Sequence, residues 1–347
     1  MTAETFRLAR RSCALLALAL AALVAVGVAL LLGKAAGYAT LLDSLREANL
    51  AWLAVCLVGE IIAYIGYVLA FRGMASVAAG PNFDLRTSAT IVFASLGATR
   101  LLAAGGAGGL ALDYWALRRA GAPRHEAVIR VLALNTLLYA LFGAAAWAAA
   151  LVLMLGGHEV PLAMALPWLI GIPACFIAAA AVSSPRGAAR LRRHDHRRLR
   201  AALADAVGGV VLVRALVLRP RANAKPLAGS FFYWAGDLLC LWAGLQAFGA
   251  EAALAGVVLG YATGYVATLL PLPTAGVGGV DAAMTFALVA VGVPLAPALL
   301  GVFAYRLFSF WLPTLPGLAV LPTLPRLGTR LRALGTQRAA HPPVPVP

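Results

Sequence analysis

The chain has 347 residues, 62% hydrophobic and 12% charged, with a formal net charge of +15 and a mean hydropathy of +0.88. Soluble domains carry roughly 25% charged residues, so a water-soluble globule is excluded. The basic residues sit in loops between long apolar runs, which argues against a nucleic-acid-binding face. Four cysteines (Cys13, Cys56, Cys175, Cys240) fall inside those runs, so neither a disulfide framework nor a CxxC metal site is expected.

A helix needs about 20 mostly apolar residues to cross the hydrocarbon core. Residues 1–12, with Arg7, Arg10 and Arg11, precede a first predicted span at Cys13–Leu32. Its apolar core is too long for a secretory signal and no A-x-A site closes it, so it reads as a retained helix. A loop with Lys34, Asp43, Arg46 and Glu47 leads to the second span, Asn49–Phe71. Arg72 and Arg86 follow, then Thr90–Leu117, an apolar stretch broken by Gly105–Gly109. Beyond Arg118, Arg119, Arg124 and Arg130 come spans at Ala127–Leu155 and Ala163–Val182.

The segment 183–226 is basic, with eleven Lys/Arg between Arg186 and Lys225. Within it Ala201–Val217 reads as an amphipathic helix lying on the membrane, because Asp205 and Arg214 argue against a further crossing. Leu227–Gly249 is the next span, Ala252–Val293 a second broken stretch around Pro271–Gly279, and Leu295–Leu321 the last span. Residues 323–347 form a basic, proline-rich tail whose end, His341-Pro-Pro-Val-Pro-Val-Pro, has a disordered composition. The fold class is thus all-α: a polytopic membrane protein with about six full spans and two glycine/proline-broken re-entrant hairpins, in one transmembrane domain over 13–322.

Positive charge marks the cytoplasmic side. It places both termini, the 183–226 loop and both ends of Thr90–Leu117 inside; Gly156–Leu162, with Glu159 and no cation, lies outside. The second broken stretch then begins and ends outside. Gly106-Ala-Gly-Gly109 recurs as Gly276-Val-Gly-Gly279, 170 residues later, and Gly121-Ala-Pro123 as Gly292-Val-Pro294, 171 later. Asn49–Phe71 corresponds to Leu227–Gly249, and their only buried acids, Glu60 and Asp237, are 177 residues apart. Halves at about 49–155 and 227–322 of opposed orientation are the pattern of an inverted repeat, whose broken helices build a site near the midplane.

Irregular backbone at membrane depth is tolerated where protein or a water-filled cavity satisfies it. Gly106, Gly109, Gly276 and Gly279 lack a Cβ, and freed N–H groups at a half-helix start suit an anionic phosphate; close helix packing is the alternative. An ionisable side chain at the centre of a span costs about 2.5–3.5 kcal/mol on a translocon scale. Glu60, Asp237 and Arg306 lie within spans, and Arg100, Asp113 and Asp281 border the hairpins. Pairing Glu60 or Asp237 with Arg306 or Arg100 would lower that cost, and ion pairs that merely hold helices together would do so too. No H-x4-D box, D-x-D, phosphate loop, H-E-x-x-H or G-x-S-x-G is present, and neither a metal nor a cofactor is expected.

Leu272-Pro-Thr-Ala-Gly-Val-Gly-Gly-Val-Asp281, Gly292-Val-Pro294 and Ala304-Tyr-Arg-Leu-Phe-Ser-Phe-Trp-Leu-Pro313 resemble the C-terminal signature of the flippase-like transmembrane domain of lysylphosphatidylglycerol synthases. Arg100-Leu-Leu-Ala-Ala-Gly-Gly-Ala-Gly-Gly109 is similar to that family's other glycine region, and the resemblance covers roughly 10–325. It implies a multi-pass protein of the bacterial cytoplasmic membrane that moves or handles a lipid or lipid-linked substrate. By resemblance, Pro273, Gly276, Gly279, Asp281, Tyr305 and Arg306 are site residues. Segment 323–347 is too short for the soluble aminoacyl-transfer domain of the full-length synthases, so lysyl transfer is not expected.

The function expected is that of a lipid flippase or transporter for an anionic phospholipid or lipid-linked substrate, with Arg306 and Arg100 on the headgroup and Glu60 and Asp237 balancing charge or relaying protons. The alternatives are a membrane enzyme modifying a lipid or polyprenyl-phosphate carrier, and a non-transporting scaffold for a separate lipid synthase. Membrane phospholipids are the expected partners, and nucleic acid is not.

Overall fold

A computed structural model describes residues 23, 27, 38–101, 107–184, 197–269 and 277–340. Among them every regular element is helical, as lipid demands of a backbone that must close its own hydrogen bonds. The first predicted span lies outside the described residues except for Leu23 and Gly27, both helical. The loop expected before the second span carries a short helix, α1 (Tyr38–Arg46), which packs on the helix that opens the last span.

The centre of the molecule is an antiparallel pair, α2 (Leu50–Ser76) and α8 (Ala224–Ala247). Asn49 caps α2 by accepting the Ala51 N–H at 3.0 Å, satisfying one of the orphan donors of a helix start. A stripe of small residues lets the two backbones touch. A methyl group added to Gly59 would stand 2.8 Å from the Gly236 carbonyl oxygen; on Gly66 it would stand 2.5 Å from the Tyr233 nitrogen, and on Gly73 2.6 Å from the Pro226 nitrogen. Apolar attraction between helices is absent in lipid, so such close packing is what holds them. Polar and aromatic groups of α8 face protein rather than lipid: Ser230, Trp234 and Asp237 are buried, and Trp234 Nε1 donates to the Leu138 carbonyl at 2.8 Å.

Two pairs of short helices flank this core. α3 (Leu85–Leu101) runs antiparallel to α4 (Ala107–Arg119), and α9 (Leu254–Tyr265) to α10 (Gly279–Ala290). At 1.5 Å per residue, the 12 or 13 residues of α4, α9 and α10 rise only about 20 Å and the 17 of α3 about 25 Å, less than the roughly 30 Å hydrocarbon core. Each pair is zipped by glycine: Gly109 against Ser95 and Thr99, Gly260 against Leu288, and Gly264 against Met284.

The long helices α5 (Arg124–Leu155) and α6 (Leu162–Val182) match the predicted spans closely. The basic segment contains α7 (Arg197–Leu218), packed on the first turns of α5, where Gly208 meets Ile129 and the His125 ring bonds the Asp205 carboxylate. Its Ala201–Leu218 portion is long and apolar enough to cross a membrane by length and composition, with Asp205 and Arg214 inside it. Asp205 has found a side-chain partner that a hydropathy pattern does not show.

The last span is one interrupted rod: α11 (Leu295–Arg306), a π-helical turn (Leu307–Trp311), α12 (Leu312–Val320), a 3-10 turn (Leu321–Thr323) and α13 (Leu324–Ala340). The tail is therefore helical to Ala340, because Leu327 and Leu331 at a one-turn spacing are buried and Gly335 packs on Gly121 beside α4. The packing is crossed: α5 lies on α9, while α12 lies on α3 with Gly97 and Gly317 in backbone contact.

Candidate functional site

Glu60 and Asp237 sit beside Gly59 and Gly236, where the backbones of α2 and α8 are in contact. With no side chain at either glycine, the acids are held near each other, both 5% exposed. Asp237 is well satisfied: one carboxylate oxygen accepts the hydroxyls of Tyr305, at 3.0 Å, and Tyr261. Glu60 faces Asp237, Cys240 and Arg100, but its Oε2 has no hydrogen-bond partner.

Both hairpins deliver a charge to this place. Arg100 stands in the last turn of α3, just before the glycine segment, and Asp281 in the first turn of α10, just after the other. Asp281 reaches back to accept the Gly278 N–H at 2.8 Å and meets Arg306 Nε at 2.5 Å. Arg306 ends α11, and the π turn that follows it presents Phe310 to two cations. The guanidinium carbons of Arg100 and Arg306 lie 3.8 and 4.5 Å from the Phe310 ring centroid. A π turn inserts a residue into the helical register and recurs at functional sites. Arg100 Nε and Arg306 Nη2 are buried without an acceptor, whereas nearly all buried polar groups in proteins are bonded.

Six predicted residues thus converge: Glu60, Arg100, Asp237, Asp281, Tyr305 and Arg306. The expected pairing of Glu60 or Asp237 with an arginine does not form as a direct ion pair. Arg306 bonds Asp281 instead, because α10 and α11 form a hairpin about Val291–Pro294 that sets the start of one helix level with the end of the other. Gly279 opens α10; Gly109 serves packing, beside a buried bond from Ser95 Oγ to Asp113 at 2.5 Å. Gly106, Pro273 and Gly276 lie outside the described residues.

Sequence reasoning missed Tyr261, Phe310 and Tyr64, whose hydroxyl donates to the Ser309 carbonyl at 3.3 Å. The one available signal was a tyrosine inside an apolar run, since a buried phenol needs a partner. Phe142, Trp234, Tyr261 and Tyr265 stack into an aromatic wall beside Asp237.

No curated protein matches the chain. Residues 15–317 match the family model described as the lysylphosphatidylglycerol synthase TM region. That stretch includes both hairpins and every charged residue of the cluster, and its long apolar helices are those of a multi-pass membrane protein. The chain therefore belongs to the lysylphosphatidylglycerol synthase TM region family, a membrane family related to lipid synthesis.

Proposed function

We propose that the protein moves an anionic phospholipid, or a lipid-linked anion, across the bacterial cytoplasmic membrane. The headgroup is held by Arg100 and Arg306. The observation that carries this reading is the pair of guanidinium groups sharing Phe310, each with a buried N–H lacking an acceptor. Two like charges so placed repel, and unmet donors cost free energy. A phosphate oxygen answers both, through charge-assisted hydrogen bonds.

In this reading both termini are cytoplasmic and the two hairpins are re-entrant halves of an inverted repeat. They meet at the α2–α8 seam, where the site opens to each side in turn. Glu60 and Asp237, matched in the repeat, face each other at that seam.

The test is movement of fluorescent phosphatidylglycerol in proteoliposomes, comparing wild type with Arg100→Gln. This substitution leaves the Arg306–Asp281 pair intact, so the fold is kept. Loss of a charge-assisted bond, worth about 1.5–3 kcal/mol, predicts a fall in rate of roughly ten- to a hundredfold. A folded Arg100→Gln protein that moves the lipid at the wild-type rate would remove the headgroup from this site.

A further inference from the structure

The cluster holds an uneven set of charges. Two guanidinium groups, Arg100 and Arg306, face three carboxyls, Glu60, Asp237 and Asp281. With all of them ionised the site carries one excess negative charge and repels the anionic headgroup proposed above. Neutralising one carboxyl removes the excess.

The three acids are not equivalent. Asp281 is already charge-compensated: its Oδ1 makes no hydrogen bond but is ion-paired with Arg306 Nε, and its Oδ2 accepts the Gly278 N–H. Asp237 accepts two tyrosine hydroxyls. Glu60 is 5% exposed and keeps an oxygen with no partner. A buried carboxylate with an unbonded oxygen and no ion-pair partner is the one that gains most from a proton. The groups facing it are Asp237 and Cys240 from α8, Arg100 from α3, Tyr305 from α11, and Cys56 and Tyr64 from its own helix. Arg100 is the one cation among them, and it is the cation that an arriving headgroup engages.

We infer that Glu60 is a proton-binding site linked to the headgroup site. When the anionic headgroup occupies Arg100 and Arg306, the Glu60 carboxylate takes one proton from the water on the open side. Lipid and proton then leave together on the other side, where the carboxylate re-forms. The inference rests on the headgroup reading above and adds to it the ion that accompanies the lipid.

The experiment uses the full-length protein in detergent, titrated with dihexanoyl phosphatidylglycerol in weakly buffered solution containing a pH-indicator dye. Affinity is measured in parallel by calorimetry between about pH 6 and 9. Wild type is expected to take up about one proton per lipid bound, with Kd weakening by up to about tenfold per pH unit as pH rises. This arm needs no variant. Glu60→Gln is expected to bind with no proton uptake and a Kd that does not change with pH. Binding without proton uptake in wild type overturns the inference and leaves the headgroup site standing. Uptake that persists in Glu60→Gln overturns it as well. Absence of binding removes the headgroup reading and this inference together.

Discussion

The α2–α8 seam makes a prediction that can be sized. In Gly66→Ala the new methyl carbon would start 2.5 Å from the Tyr233 nitrogen, 2.7 Å from the Gly229 carbonyl oxygen and 2.8 Å from the Phe232 carbonyl carbon. All three are backbone atoms, so no side chain can rotate away. Reaching ordinary contact, about 3.5 Å between heavy atoms, requires the helices to part by about 1 Å at this point. A gap of that size forfeits a quarter to a half of each contact well along the adjoining turns. Overpacking of this kind costs about 1–3 kcal/mol, a five- to 150-fold rise in the unfolding constant at roughly 1.4 kcal/mol per tenfold. Gly171 is the control: on α6 it has nothing within 4 Å of an added methyl, and alanine there is expected to stabilise by up to about 1 kcal/mol through helix propensity. Reversible unfolding in mixed micelles, followed by tryptophan fluorescence, compares the two. Equal stability of Gly66→Ala and Gly171→Ala would refute the claim that direct backbone contact holds this pair.

Two further outcomes follow from named contacts. Arg306→Ala strands Asp281 in the interior, at a cost of about 3–5 kcal/mol; adding Asp281→Asn is expected to recover much of the stability in the same assay but not lipid movement. Asp84, in the exposed turn before α3, accepts hydrogen bonds from Thr87, which hold its carboxyl below the ordinary carboxylate value. A lowered value stabilises the fold above the unfolded value, and that contribution is lost as pH falls through the folded one. Asp84→Ala is therefore expected to destabilise at pH 7 by about 0.5–2 kcal/mol, as loss of a helix cap does, with the difference from wild type shrinking as pH falls below the ordinary carboxylate value, as measured by thermal unfolding.

Spans bounded by polar residues were legible because a twenty-residue apolar run has one stable answer in lipid. The predicted starts Asn49, Ala127 and Ala163 lie one to three residues from the helix starts found at Leu50, Arg124 and Leu162. The charged members of the site were legible for the converse reason: Glu60, Asp237 and Arg306 are expensive in an apolar run. Their partners were not. Whether Arg306 meets Asp281 or Asp237 depends on how α10 and α11 fold back, and neither composition nor spacing carries that angle. Phe310 looks like any apolar residue until the π turn aims it. α13 was read as tail because its arginines hide the one-turn spacing of Leu327 and Leu331.

The crossed packing has a consequence in time. α3 presents Gly97 to Gly317 of α12, a residue synthesised on the order of 200 positions later, which at 5–20 residues per second is roughly 10–40 s of translation. Through that interval the first hairpin waits in the bilayer with its glycine face unmatched. This face of the first hairpin is therefore completed only once α12 has been made.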